Sequence, residues 1–128
     1  MSRLEFADTP PAILEPVRVR AMALPEVHDD PRWPVQRWLI RRRIFASVIT
    51  TANEHGENTF LQFRSPGEEL NVLFSTGHPF FRAGWGDNVV GMVLTPTTDW
   101  DEVGELLTDS YCLLAPKKLV ALVQPPLS

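Results

Sequence analysis

Apolar positions recur at helical spacing most clearly between Asp99 and Leu114. Trp100, Val103, Leu106, Leu107, Tyr111 and Leu114 form one stripe, and Asp101, Glu105 and Asp109 fall opposite. Asp99 stands where an N-cap is wanted, and the acids of the first turns suit the helix dipole. Ser65-Pro66-Gly67-Glu68 predicts a second helix start, with Ser65 as cap, Pro66 at the first position and Glu68 closing a capping box. Leu70, Leu73 and Phe74 give that helix its apolar face, and Gly77 takes the left-handed position that ends it. Val17, Ala21 and Leu24 predict a short helix over Pro16–Leu24, and Pro116 followed by Lys117-Lys118-Leu-Val-Ala-Leu opens a last one.

The pattern changes to β-branched and aromatic runs in between. Gln36–Ile40 and Arg43–Thr51 meet across Arg41-Arg42 and read as a hairpin. Neither turn residue favours positive φ, so the pattern predicts a longer turn or offset strands. A turn over Asn53–Asn58 leads to a strand at Thr59–Arg64, and Asn88–Thr95 reads as a buried strand, with His78–Trp85 a loop or short strand before it. Three prolines and Asp29-Asp30 make Pro25–Pro34 an extended connector, pinned to the core by Trp33. Residues 1–9 form a loose arm and 124–128 a loose tail. The expected class is α+β, a single antiparallel sheet with helices packed on one face, in the order α-β-β-β-α-β-α, over one domain spanning residues 1–128.

Charge changes this picture at one place. The chain has 12 Lys and Arg against 16 Asp and Glu, for a net charge of −4, yet Arg32, Arg37, Arg41, Arg42 and Arg43 precede the next acid at Glu54. Guanidinium forks match phosphate oxygens bidentately, which makes Arg37, Arg41, Arg42 and Arg43 candidate nucleic-acid contacts. The alternative is a solvated turn, with some arginines paired to acids of the late helix. Strand alternation would put Arg37, Arg41 and Arg43 on one face and Arg42 on the other. The acidic balance speaks against non-specific binding by the whole surface.

The other chemistry is thin. His28 with Asp29 and Asp30, and the isolated His55 and His78, match no metal-ligand spacing, so neither metal nor cofactor is expected. Tyr111 belongs to the apolar stripe and reads as a core residue, while Cys112 falls on the charged side of its helix and lacks a partner for a disulfide. Trp38 and Trp85 are the tryptophans whose exposure would matter for base stacking. No apolar run approaches the roughly 18 to 20 residues of a membrane helix, and a cytoplasmic location without membrane attachment is expected.

Several landmarks taken together resemble the MmcQ/YjbR family. They are Ala23-Leu24-Pro25-Glu26-Val27-His28-Asp29-Asp30-Pro31-Arg32-Trp33 after a helix, Arg42-Arg43-Ile44-Phe45-Ala46 in a hairpin, Phe80-Phe81 before a strand and Leu107-Thr108-Asp109-Ser110-Tyr111 in a late helix, within residues 17–122. The resemblance implies a fold similar to that of frataxin/CyaY and DNA as partner, through a double-wing arrangement ascribed to the family. Two departures stand beside it. The acid-rich first helix with which frataxin-like proteins bind iron is replaced by Pro16–Leu24, which holds two arginines and no acid, so iron is not carried over. The turn at Asn53–Asn58 contains Glu54 and Glu57, leaving one basic wing. The expectation is a non-enzymatic protein that binds DNA by its basic hairpin. Its rivals are an enzyme or small-ligand binder using a pocket around His78–Trp85, and a protein-interaction module using the acidic helix or a sheet edge.

Overall fold

Apolar stripes of this kind must be buried against another layer, and a sheet provides it. The computed structural model describes residues 4–83 and 88–123. Among these the elements run β1 (Glu5–Ala7), α1 (Pro11–Met22), β2 (His28–Arg32), β3 (Val35–Ile40), β4 (Arg43–Asn53), β5 (Gly56–Arg64), α2 (Gly67–Thr76), β6 (Phe80–Arg82), β7 (Val89–Leu94), α3 (Trp100–Leu114) and α4 (Lys117–Val123). All strand pairs are antiparallel, in the sheet order β2-β3-β4-β5-β7-β6, with β1 added against β4. The α+β class and the single antiparallel sheet are as expected. The element order is richer than the seven-element sequence: β1 and β2 are added, the short strand allowed for within His78–Trp85 is β6, and the last helix read from Lys117 is α4.

Every second residue of the central strands faces the helices. Trp38, Val48, Leu61, Phe63, Val90 and Met92 are buried there, against Val17 and Ala21 of α1, Val103 and Leu107 of α3 and Leu119 of α4. Leu70, Leu73 and Phe74 of α2 pack against the same cluster. On the other face, Val35, Leu39, Ile44, Ile49, Phe60 and Val93 are only partly covered. The sheet is therefore clothed by helices on one side and open on the other.

Each difference from expectation has a physical cause in the fold. Residues 5–7, placed in a loose arm, form β1 because β4 outruns β3: β3 pairs residues 43–49 of β4, and β1 occupies the stretch Thr50–Ala52 left over on that edge. Helix α1 begins at Pro11 rather than Pro16. Pro10 and Pro11 start the helix, since a missing N–H costs nothing in a first turn. Pro16 then sits inside it, at a cost of about 3 kcal/mol, offset by burying Ile13, Val17 and Ala21 on successive turns. The connector expected over Pro25–Pro34 contains β2, an edge strand whose Pro31 has no ladder bond to lose on the outer side. Trp33 does not reach the core. It is 64% exposed, and its indole N–H donates to Asp8 Oδ1 at 2.8 Å, tying the β2–β3 turn to the N-terminal segment.

The capping box expected at Ser65 is not made. Ser65 N–H bonds to the Asn88 carbonyl at 2.9 Å, which holds Ser65 in continuation of β5 with its hydroxyl buried and unpartnered, and α2 starts one residue later from Pro66. The other predicted helix signals hold. Asp99 accepts from the N–H groups of Asp101 and Glu102, and Gly77 leaves α2 at a φ of 78°. No helix among the described residues is long and apolar enough to cross a membrane.

Candidate nucleic-acid interface

The β3–β4 hairpin is distorted twice on the way to its tip. The register shifts between Trp38 and Leu39, whose partners are Ala46 and Ile44, so Phe45 is an extra residue on β4. Such a bulge bends the strand and raises its twist. Helix α3 holds it: Phe45 meets the Tyr111 ring edge-on at 5.7 Å, and Ser110 Oγ donates to the Phe45 carbonyl at 2.6 Å while accepting from Arg64 N–H at 2.8 Å. Beyond the bulge, Ile40 pairs with Arg43, leaving Arg41 and Arg42 as the whole turn. Their φ angles are 50° and 67°. This is the left-handed geometry that a two-residue hairpin demands and that Asn-Gly satisfies best. The turn is thus tight, where the sequence suggested a longer one, and the suggested offset resides in the bulge. An L-residue other than Gly or Asn pays roughly 1 kcal/mol for this conformation, so turn stability does not account for two arginines here.

The four candidate arginines have different fates. Arg37 pairs across the ladder with Asp30 and is ion-paired to its carboxylate. Arg41 is bound to Glu26 at 3.1 Å, itself a residue with a positive φ of 60°. Arg42 and Arg43 are exposed and have no ion pair or hydrogen-bond partner among the described residues. The expected sharing of one face by Arg37, Arg41 and Arg43 does not occur. Strand alternation stops at the turn, and Arg43 lies on the side of its cross-strand neighbour Ile40, a core residue, whereas Arg37 lies on the open face. The pairing with acids of the late helix does not occur either; Glu26 and Asp30 do that work. The acidic turn at Glu54-His55 lies at the other end of β4, about 30 Å away for a strand of this length.

Arg64 belongs to this end of the sheet, although the sequence did not mark it. Its guanidinium donates to the Ile44 carbonyl at 3.1 Å and to Asn88 Oδ1 at 3.3 Å, so it reaches across to β4 one residue from Arg43. The signal available was only an arginine at the end of a strand. Apart from Glu26 and Asp30, many of the acids lie on α2 and α3, which carry Glu68, Glu69, Asp101, Glu102, Glu105 and Asp109 and no Lys or Arg. Charge is therefore uneven in space: α2 and α3 are acidic, α1 and α4 add Arg18, Arg20, Lys117 and Lys118 to the helical side, and the hairpin end of the sheet holds the arginine cluster.

The other candidates settle plainly. Trp38 is fully buried and cannot meet a ligand; Trp85 lies outside the described residues. Tyr111 is a core residue whose hydroxyl donates to the Pro25 carbonyl at 2.8 Å, and burial pushes its phenol further up, so it stays a neutral donor. Cys112 is half-buried, and burial together with Asp109 raises its thiol, the opposite of what an activated nucleophile needs. His78 and Pro79 border a concavity of about 270 Å³ with Met92, Thr98, Asp99 and Glu102, in which Asp99 is already committed to capping α3. Among the described residues, no three His, Cys, Asp or Glu side chains are grouped to hold a metal ion.

One carboxylate on the acidic helices is a measurable reporter. Burial, then the charge and hydrogen bond of Asp109, lift Glu69 above the ordinary carboxylate range. The folded state therefore holds this proton more tightly than the unfolded chain does. Its contribution to stability is full below the unfolded value and is lost as pH rises through the folded one. Glu69→Gln should gain on the native protein at pH 7, by less than about 1 kcal/mol for a partly exposed group, and lose that advantage in acid. Urea midpoints at the two pH values check it.

An antiparallel sheet with helices on one face, a bulged hairpin and an uneven distribution of charge defines an α+β domain with an exposed basic end. The model of the family YjbR matches residues 22–113, from the end of α1 through most of α3. The chain belongs to the MmcQ/YjbR family. No curated protein matches it.

Proposed function

We propose that this MmcQ/YjbR-family protein, with its sheet arranged in the CyaY manner, binds nucleic acid through the tip of the β3–β4 hairpin. Arg42 and Arg43 contact phosphates and Arg64 supports them from the neighbouring strand; no catalytic step is assigned. What carries the reading is the turn itself. Two arginines occupy left-handed positions that Asn and Gly would fill with less strain, and among the described residues Arg42 has no acid paired to it. Backbone strain persists where the surrounding structure enforces it, and a strained, unpaired cation points to a ligand. Arg37 serves the sheet instead, through Asp30.

The test is affinity for duplex and single-stranded DNA over a salt series, with Arg42→Gly/Arg43→Ala beside the native protein. The slope of log affinity against log salt on duplex should become shallower by about 1.8, or about 0.9 for each lost phosphate contact. The same variant should unfold no more easily than the native chain, because Gly relieves the turn. Absence of binding at low salt, or an unchanged slope, would remove the proposal.

A further inference from the structure

The open face of the sheet has a built feature that the hairpin alone does not explain. Phe81 on β6 pairs with Gly91 on β7, and its ring lies broadside over that glycine: a Cβ added at 91 would sit 2.3, 2.4 and 2.8 Å from three ring atoms. Three such distances place the Cβ above the ring plane. One face of the ring is pressed to the sheet, and the other is turned away from it. Phe60 stands against it nearly perpendicular, at 5.4 Å between centroids and 80° between planes. The two rings make a floor and a wall, and both are partly exposed.

The surroundings favour an anionic ligand with flat apolar parts. Ladder register puts Arg32, Arg37 and Arg64 on this face together with Asp30, which is ion-paired to Arg37 and Arg32. Ile49 and Val93 flank the rings and are likewise partly exposed. The floor is three strand spacings from β4, about 14 Å. By register Phe81 is level with Ser47, four residues along β4 from Arg43, so a single strand about 19 Å long, running diagonally across the face, joins the ring to the arginine tip.

We infer that the open sheet face binds single-stranded nucleic acid, with an unpaired base stacked on Phe81 against Phe60 and the backbone led to Arg64 and the hairpin tip. This rests on the phosphate-binding role proposed for Arg42 and Arg43. A duplex keeps its bases stacked on one another, so only an unpaired base has a face to offer an aromatic platform, and such stacking needs no sequence preference.

The experiment measures affinity for an oligothymidylate and for a duplex of equal length, using native protein, Phe81→Leu, Phe81→Trp and Arg42→Gly/Arg43→Ala. Phe81→Leu should weaken the single strand by about tenfold, leave the duplex unchanged and keep the salt slope, while Phe81→Trp should restore or exceed native affinity. In the native protein, a 2-aminopurine in the strand should change fluorescence on binding, a readout that does not depend on any variant folding. If the arginine variant weakens both ligands but Phe81→Leu weakens neither, the platform is wrong and the hairpin role survives. If no nucleic acid binds, both fall. A native dimer that Phe81→Leu dissociates assigns the face to a second copy and overturns the inference.

Discussion

Ser110→Ala is expected to destabilise the protein by about 2–4 kcal/mol, read as a shift of the urea midpoint. The residue is fully buried and its hydroxyl serves two backbone groups that have no other role in the ladder: it donates to the Phe45 carbonyl at 2.6 Å and accepts from Arg64 N–H at 2.8 Å. Both groups lie where the bulge interrupts the pairing of β4 with β5, since the last paired residues there are Ala46 and Phe63. Alanine removes the bridge and leaves a donor and an acceptor without partners in the interior, each costing about 1–3 kcal/mol. The effect therefore exceeds the loss of an average hydrogen bond. The bulge sets the direction in which Ile44, Arg43 and the turn leave the sheet, so Ser110→Ala should also weaken nucleic-acid binding at temperatures where it remains folded. A loss under about 1 kcal/mol would mean that packing of Phe45 on Tyr111 alone holds the bulge.

What could be read in advance followed the range of the interactions. Helix α3 was legible because its cap, Asp99, and its apolar stripe lie within one segment. Strands β4 and β5 were legible because their turn carries Asn53 and Gly56, where the Asn53 side chain accepts from His55 N–H and Gly56 takes a φ of 125°. Strands β1 and β2 were not, because what makes them strands is a vacant edge supplied by residues about 45 positions away in one case and the Asp30–Arg37 pairing in the other. The arginine cluster was visible as charge. Its division into two ion-paired members and two without a partner among the described residues was not, since Glu26 and Asp30 meet Arg41 and Arg37 through the fold. The tight turn was hidden for a different reason: its residues break the local rule for the geometry they adopt, and local rules fail most often at functional sites. Phe80-Phe81 and the strand run Asn88–Thr95 lie in separate segments, and nothing in either says that Phe81 covers Gly91.

Gly91→Ala should cost about 1–3 kcal/mol, and the cost should depend on Phe81. Gly91 is buried on a central strand, between Gln62 of β5 and Phe81 of β6. Its backbone is ordinary, so the demand for glycine comes from space alone: a methyl group would sit 2.3 Å from the ring, far inside contact distance. Either the ring swings outward, giving up its contact with both the sheet and Phe60, or β6 moves away from β7. In Phe81→Ala the obstruction is gone, and alanine at 91 should be neutral or slightly favourable there because glycine weakens a strand interior. A double-mutant cycle in urea separates the two origins of the cost, with a coupling of about 1–3 kcal/mol if the ring is responsible. The same substitution tilts the floor proposed for the unpaired base, so Gly91→Ala should reduce single-strand affinity in step with Phe81→Leu while duplex affinity, carried by Arg42 and Arg43, stays at its native value. Equal losses on both ligands would instead locate the damage in the sheet as a whole, and zero coupling would show that the ring does not rest on Gly91.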